Sequence, residues 1–295
     1  MALGEAYLQQ AIAAPHTKRH QATRVVHYQA QRQGLTLCDA FAFQGPITII
    51  ANACASGSNA IGHAWEIVKH GRVERVLTGG YDALCQLTFA GFSSLQALSP
   101  TASRPFDARR DGLSLGEGAA VLTLESLDCA RRRKAEILGE IIGYAAATDT
   151  HHLTQPHPEG QAAFVVMTDA CACAGISPAN VDYVNAHGTG TPLNDLTEAM
   201  AINRWAGERA LTLPVSSTKA GIGHLLGAAG AAEAVVCLMA LREQWLPPQQ
   251  GMDAPDSICQ FQIVREPTDA VVNVALSNSF GFGGGNATLI FRRWS

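Results

Sequence analysis

One order of secondary-structure elements is repeated in the two halves of the chain, and this weak repeat restricts the fold more than any other feature. Each half is predicted to contain a buried strand, a long helix, a second strand and, after a loop, a strand that begins with glycine. These elements cover residues 47–53, 56–70, 75–78 and 116–125 in the first half, and 213–217, 224–242, 271–276 and 283–291 in the second. Strands that alternate with long helices are typical of α/β sheets covered on both faces. The repeat therefore predicts an α/β protein of two similar lobes packed against each other.

The two lobes are not predicted to be equal. The second half begins with additional elements, which are a strand at 137–144, a helix at 161–174 and a strand at 181–185. About 45 residues precede the first strand of the first half, and they are predicted to form one or two helices. The polar stretch 148–158 interrupts the pattern, so we divide the chain into lobes at 1–150 and 151–295. The N-terminal lobe is thus predicted to be incomplete.

The composition excludes several classes of protein. Hydrophobic residues make up 47% of the 295 residues and charged residues 16%, which is enough apolar material for a large core. A net charge of −4 argues against a nucleic-acid binder, which normally carries a basic excess. No uncharged apolar run reaches the roughly 18 residues that cross a bilayer, and the N-terminus does not resemble a signal peptide. Eight scattered cysteines indicate a reduced, cytoplasmic protein without disulfides.

Cys54 lies where the predicted strand 47–53 ends and a helix begins. The partial positive charge and the free N–H groups of a helix N-terminus favour a thiolate, so the pKa of this cysteine is predicted to be lowered. A strand-to-helix turn of small residues is also expected to expose the sulfur to a substrate. Two interpretations stay open on this motif alone, namely a catalytic nucleophile and a buried structural cysteine.

Two histidines and a lysine follow other predicted strands. His187 lies in a glycine-rich loop after one strand, and Lys219 and His224 lie together after another. Open α/β sheets carry functional side chains in such loops. A single histidine is more often a hydrogen-bonded core group, but the combination with Cys54 predicts one catalytic cleft.

The sequence does not predict a metal or cofactor site. Cys171 and Cys173 lie inside an apolar helix, and His151 and His152 lack a second well-spaced pair of ligands. The glycine run 281–285 leads into a strand, whereas a phosphate-binding glycine loop precedes a helix. We therefore expect no metal and no nucleotide cofactor.

Five motifs resemble those of the β-ketoacyl synthase family, the condensing enzymes of fatty-acid and polyketide synthesis. They are Ala53–Gly57, Arg104–Asp107 with Asp111–Gly112, Asn185–Pro192, Ser217–Lys219 with Gly223–His224, and Asn278–Gly284. The motifs occur in the order of the family and cover nearly the whole chain from about residue 40. The resemblance implies a thiolase-like fold with layered α-β-α-β-α architecture.

The resemblance also implies a decarboxylative Claisen condensation that needs no cofactor. Cys54 would accept an acyl chain from an acyl carrier protein as a thioester. His187 and His224 would hold the thioester carbonyl of a carrier-bound malonyl unit as its carboxylate departs, because two N–H donors stabilise the enolate more than the ground state. The carbanion would attack the Cys54 thioester, with the backbone N–H groups of Cys54 and Phe282 as the oxyanion hole.

Four further residues have implied roles, of which Lys219 is catalytic and Glu233, Phe280 and Phe282 are supporting. Lys219 either tunes the charge near His224 or binds loop oxygens. Glu233 is a lone carboxylate on an apolar helix and requires a partner, and the resemblance places it in the active-site network. Phe282 would gate the acyl pocket, and Phe280 belongs to the same motif.

Other positions refine the resemblance. The initiating synthases typically carry asparagine where this chain has His224 after Gly223, so the chain is similar to the elongating class. Gly285 departs from the family, which commonly has threonine there, but it touches no implied chemical role. For Asp195 and Glu198 we favour a structural interpretation, as loop and helix-cap groups.

The family usually carries a much longer segment before the nucleophile's strand than the 46 residues that precede Ile47. Three interpretations stay open: a recorded start too far downstream, a natural short subunit completed by a partner, and a degenerate remnant. A parallel sheet without its central strand leaves backbone N–H and C=O groups unpaired. We therefore expect this chain alone to be poorly soluble and inactive.

The implied partners are an acyl carrier protein with acyl and malonyl groups, and a second chain in a homodimer or a ketosynthase-like heterodimer. The alternative function is a non-catalytic or partner-dependent subunit of such a heterodimer, against which the intact Cys54, His187 and His224 count. A cysteine hydrolase would leave one histidine and the lysine without a function. The basic run 131–134 could receive an acidic carrier, but a solvated helix end is the favoured interpretation.

Overall fold

The computed structural model describes residues 29–294 and, before them, the five positions 5, 6, 9, 12 and 13. Within these residues the helices are α1 (Gln31–Phe41), α2 (Ser56–Lys69), α3 (Gln86–Ser94), α4 (Leu127–Arg132), α5 (Gln161–Ala174), α6 (Pro192–Ala206), α7 (Lys219–Ile222) and α8 (Ala229–Glu243). The strands are β1 (Arg75–Asp82), β2 (Gly118–Glu125), β3 (Glu140–Thr148), β4 (Tyr183–Asn185), β5 (Pro214–Ser216), β6 (Trp245–Leu246), β7 (Gln262–Ile263), β8 (Thr268–Asp269), β9 (Val274–Phe280) and β10 (Gly285–Arg292).

A six-stranded mixed sheet lies at the centre of the C-terminal half, with its strands in the order β3-β10-β9-β4-β5-β7. β3, β10 and β9 are antiparallel, whereas β9, β4, β5 and β7 are parallel. Successive residues of a strand point to opposite faces. On β9, Leu276 packs in the cluster that contains Met167 of α5, and its neighbour Ala275 packs in the cluster that contains Ala234 of α8. Helices therefore cover both faces of this sheet, as buried strands require.

β1 and β2 form a second, antiparallel sheet, in which Arg75 pairs with Glu125 and Asp82 with Gly118. Helices α2 and α8 pack between this pair of strands and the six-stranded sheet. Leu77 and Val121 lie on the outer face of the pair and are exposed. The described residues thus form successive helix, sheet, helix and sheet layers, and the prediction of a layered α/β fold is confirmed.

The predicted strand at 47–53 is wrong. Residues 47–52 have no regular secondary structure and most of them are exposed, and a 3₁₀ turn covers Ala53–Ala55. Among the described residues β1 pairs only with β2. Because a strand is stabilised by its ladder to a neighbour, the apolar sequence alone does not form one here.

The other elements of the repeat are present with different ends. β1 continues past Thr78 to Asp82, and β9 continues to Phe280. The predicted helix at 224–242 begins as a 3₁₀ turn, and α8 starts only at Ala229. The lobe division at 150 stays a prediction, and β3, which precedes it, pairs with β10. In the described part of the chain no helix is long and apolar enough to cross a bilayer.

Candidate active site

Cys54 lies in a tight turn that leads into α2. The preceding residue, Ala53, has a φ of 56°, in the left-handed region that costs a non-glycine residue energy. The Ser56 hydroxyl holds this turn, because it donates to the Ala53 carbonyl at 2.6 Å and accepts the Asn52 N–H at 3.0 Å. A Cβ on Gly281 would lie 3.1 Å from the Cys54 nitrogen, so β9 ends directly against the turn. The site therefore contains a strained elbow at the start of a helix, similar to those that present nucleophiles.

The environment of the sulfur differs from the prediction. Burial raises the pKa of Cys54 to about 12, the Lys219 ammonium lowers it, and the carboxylates of Asp82 and Glu233 raise it. The side chain is 7% exposed, so desolvation of the thiolate outweighs the favourable field of the helix N-terminus. The predictions of a lowered pKa and an exposed sulfur are therefore wrong, and Cys54 rests as a thiol.

The predicted cysteine and both predicted histidines line one cavity. Its volume is about 330 Å³, and its wall contains Cys54, His187 and His224 together with Phe280 and Phe282. The rings of His187 and His224 meet edge to face, with centroids 5.2 Å apart and planes at 82°. The His187 ring also packs on Phe280, with centroids 5.5 Å apart. Three side chains that are far apart in sequence thus share one volume.

The backbone after His224 determines which nitrogen of its ring carries the proton. Its Nδ1 accepts the N–H of Leu226 at 3.3 Å, so the proton of the neutral ring lies on Nε2. Leu226 has a φ of 51°, another left-handed residue. His224 Nε2 has no hydrogen-bond partner among the described residues. A buried N–H donor is thus free for a group that enters the cavity.

Two buried carboxylates hold the loop that carries His187. Glu198 accepts the backbone N–H groups of His187 and Gly188 at 2.8 and 2.7 Å, and Asp195 accepts that of Thr189 at 3.0 Å. Burial raises the pKa of Glu198 to about 7, and its two backbone donors act in the opposite direction. These contacts agree with the structural interpretation of both carboxylates, which position the loop.

Both imidazoles are neutral near physiological pH. Burial lowers the pKa of His187 and of His224 well below the ordinary value, and the Lys219 cation lowers both further. On acidification the unfolded chain therefore binds two protons before the folded chain does. The contribution of these histidines to stability is lost as the pH falls below about 6.5.

We expect the two buried histidines to keep constant imidazole chemical shifts between about pH 8 and pH 6. The measurement is NMR of the protein with ¹³C-labelled histidine, in which single His187→Asn and His224→Asn variants assign the two signals. Desolvation of the imidazolium is the physical reason. A titration midpoint above pH 6 for either signal would contradict the buried, neutral pair.

Lys219 and Glu233 form a buried ion pair. The Lys219 ammonium donates to Glu233 Oε1, and both side chains are 2% exposed. Burial raises the pKa of Glu233, and Lys219 opposes this shift. The carboxylate on the apolar helix thus has its required partner, and among the described residues the ammonium binds no loop oxygen.

The Phe280–Gly284 segment closes one side of the cavity. Phe282 is 38% exposed and stacks on Phe92 of α3, with ring centroids 5.7 Å apart. The Gly283 N–H donates to the Leu153 carbonyl at 2.7 Å, which fastens this segment to the loop after β3.

The sequence interpretation missed a part of the cavity wall. Asp149, His152 and Thr154 line the cavity, although from the sequence this polar stretch is considered only as a boundary between lobes and His152 only as a candidate metal ligand. The position of the stretch directly after a strand is the signal that could have identified it. Among the described residues, no three His, Cys, Asp or Glu side chains are arranged to hold a metal ion.

The basic run at the end of α4 is partly neutralised. Arg132 pairs with Glu74 at 2.7 Å, and Arg133 pairs with Glu125. Both arginines are largely exposed. These pairs agree with the interpretation of the run as a solvated helix end.

The protein has alternating helix and sheet layers and a cavity lined by one cysteine and two neutral imidazoles. This fold and this site define a thiolase-like protein with a cysteine at the centre of its site. Two family models match in sequence order: Beta-ketoacyl synthase, N-terminal domain, over residues 29–130, and Beta-ketoacyl synthase, C-terminal domain, over residues 138–253. The chain belongs to the β-ketoacyl synthase family. The predicted family and the predicted thiolase-like fold are thereby confirmed.

Individual relatives agree with this assignment. The chain is 46% identical to 3-oxoacyl-[acyl-carrier-protein] synthase 2 of Synechocystis sp., over 85% of this chain and 62% of that protein. It is 33% identical to a β-ketoacyl synthase of Burkholderia phymatum, with a TM-score of 0.92 over 100% of this chain and 73% of that one. A ketosynthase from Xenorhabdus doucetiae, solved in complex with its chain length factor, is 34% identical with a TM-score of 0.80, over 92% and 70%. The chain thus spans 62% of the length of the curated relative.

Proposed function

We propose that the protein catalyses decarboxylative Claisen condensation between an acyl group held on Cys54 and malonyl-acyl carrier protein, to give 3-oxoacyl-acyl carrier protein. The carrying observation is that Cys54, His187 and His224 line one cavity. The name of the relative from Synechocystis supports an acyl carrier protein as the donor of both substrates. His224 supports the elongating type of the family.

The first half-reaction moves the acyl group to sulfur. The Cys54 sulfur attacks the carbonyl carbon of the carrier thioester, the bond to the carrier sulfur breaks, and the proton of the thiol leaves with the carrier thiol. The buried thiol needs its proton removed for this step, because only the thiolate is an effective nucleophile. The backbone N–H groups of Cys54 and Phe282 would stabilise the tetrahedral oxyanion.

The second half-reaction forms the new carbon–carbon bond. The Nε2–H of His224 and the ring of His187 would bind the thioester carbonyl oxygen of the malonyl group. The bond to the carboxylate breaks, carbon dioxide leaves, and the electron pair forms an enolate on that oxygen. The enolate carbon then attacks the Cys54 thioester and expels the sulfur, which takes up a proton. Neutral imidazoles fit this role, since the developing charge strengthens their hydrogen bonds only in the transition state.

The proposed function includes assembly with a second protein chain. We infer a homodimer or a heterodimer with another ketosynthase-like chain. The Xenorhabdus ketosynthase, solved in complex with its chain length factor, supports an assembly of two chains. Leu77 and Val121, exposed on the outer face of the β1–β2 sheet, support a covered surface there. Eight free cysteines suit a reducing compartment, so we infer that the protein acts in the cytoplasm.

Mass spectrometry after incubation with an acyl-loaded carrier protein tests the function. A persistent acyl adduct on Cys54 is the expected result, and malonyl carrier should then consume it. Rapid release of free acid would indicate a hydrolase. The absence of any adduct, with or without a ketosynthase-like partner, would indicate the non-catalytic subunit and would overturn the proposal.

A further inference from the structure

Asp82, the last residue of β1, joins two parts of the site that are distant in sequence. Its Oδ2 accepts the N–H of Gly227 at 3.0 Å, and its Oδ1 accepts the N–H of Ala83 at 3.0 Å. Gly227 lies three residues after His224, in the 3₁₀ turn that leads to α8. None of the sequence motifs includes Asp82. The Asp82 carboxylate thus connects the end of β1 to the turn that follows His224, one of the proposed catalytic residues.

The backbone is unusually close at this junction. A Cβ on Gly80 of β1 would lie 2.8 Å from the Gly227 carbonyl oxygen, and a Cβ on Gly57 of α2 would lie 3.0 Å from the same atom. Gly57 comes three residues after Cys54, as Gly227 does after His224. The turns of both catalytic candidates therefore meet at one carbonyl, and a displacement of this junction would change the position of His224 relative to Cys54.

The charge of Asp82 also acts on the sulfur. Of the two carboxylates that raise the pKa of Cys54, Asp82 has the larger effect and Glu233 the smaller, while the Lys219 ammonium opposes both. The imidazoles of His187 and His224, which share the cavity, are neutral. Removal of the Asp82 charge should therefore favour the thiolate.

We propose that Asp82 is a positioning residue that ties the turn after His224 to β1 and thereby holds His224 in register with Cys54. Its contacts act through Gly227 and not on the substrate. The consequence for decarboxylation rests on the proposed function. The consequences for the thiol and for the His224 ring do not, so they can be measured without substrate.

The test is the Asp82→Asn variant of the full chain, with its ketosynthase-like partner if one is needed. Alkylation of Cys54 by iodoacetamide at about pH 9 should become roughly 3- to 10-fold faster, since one pKa unit changes the thiolate fraction about tenfold. Decarboxylation of malonyl carrier should become about 10-fold slower, and the NMR signal of the His224 ring should shift. General loss of structure would also expose the buried thiol and speed its alkylation. Urea unfolding of the variant is therefore measured alongside, and a free energy of unfolding equal to that of the wild type distinguishes positioning from unfolding.

Two variants complete the test. Glu117→Gln is the matched control, because the Glu117 carboxylate also accepts a backbone N–H, that of Leu84 at 2.9 Å in the neighbouring loop. This variant should leave all three readouts unchanged. Gly227→Ala keeps the charge but places a Cβ 3.3 Å from Asp82 Oδ2, so it should slow decarboxylation and shift the His224 signal without faster alkylation. The proposal would be overturned if Asp82→Asn showed alkylation at the wild-type rate and an unshifted His224 signal. If Asp82→Asn does not fold, an unshifted His224 signal in Gly227→Ala would overturn it instead. A wild-type protein that decarboxylates nothing would instead overturn the proposed function.

Discussion

Replacement of Cys54 by serine is expected to reduce condensation by about 10³-fold or more, the order found when a catalytic nucleophile is removed. Serine has nearly the same size, so the elbow and the cavity should be preserved. Its hydroxyl is far harder to ionise than a thiol, and no base in the described part of the chain is hydrogen-bonded to the side chain at position 54 to activate it. The measurement is the rate of formation of 3-oxoacyl carrier, together with the mass of the acylated protein.

The matched control for this change is Cys173→Ser, an exposed cysteine on α5. This variant should retain the activity and the adduct of the wild type. An acyl adduct in Cys54→Ser at the wild-type level would show that another residue accepts the acyl group.

Replacement of Lys219 by methionine is expected to destabilise the protein by about 3–5 kcal/mol, because it leaves Glu233 buried without its cation. Both side chains are 2% exposed, so water cannot replace the lost contact. Urea unfolding of the variant and of the wild type measures the difference in the free energy of unfolding. Activity should fall as well, since the ammonium lowers the pKa values of Cys54 and both histidines.

Two comparisons identify the cause of this loss. The double variant Lys219→Met/Glu233→Leu removes both charges and should recover most of the stability. Arg132→Ala breaks the exposed pair with Glu74 and should not change the stability measurably. A Lys219→Met protein as stable as the wild type would mean that the pair is not a buried pair in solution.

The central elements of the fold could be predicted from the sequence because they bury continuous apolar surface. β9 and β10 are buried along nearly their whole length. The polar, buried residues 277–279 of β9 nevertheless lie beyond the predicted end of this strand at residue 276. Residues 47–52 are equally apolar, yet they form no strand, since a strand also needs a neighbour in a ladder. Apolar sequence thus predicts burial better than it predicts pairing.

That Cys54, His187 and His224 share one cavity could also be predicted, because the histidines follow strands and Cys54 begins a helix. Their electrostatics could not. The sign of the Cys54 pKa shift depends on how deeply the sulfur is buried and on the distance of Asp82, Lys219 and Glu233. These quantities exist only in the folded chain. The wall contributed by Asp149 and Thr154 was missed for a different reason, since its position directly after a strand is a signal that the sequence does carry.

The central claim is that the Cys54 sulfur carries the acyl group while the imidazoles of His187 and His224 promote decarboxylation. A single-turnover experiment tests it most directly. Protein carrying a labelled acyl group on Cys54 is mixed with malonyl carrier, and carbon dioxide, 3-oxoacyl carrier and remaining acyl-protein are measured together. The wild type should release one carbon dioxide for each 3-oxoacyl carrier formed. His224→Ala should acylate normally and release carbon dioxide about 10²- to 10³-fold more slowly, as expected when a donor to a developing oxyanion is lost. Release of carbon dioxide at the wild-type rate by His224→Ala would contradict the account.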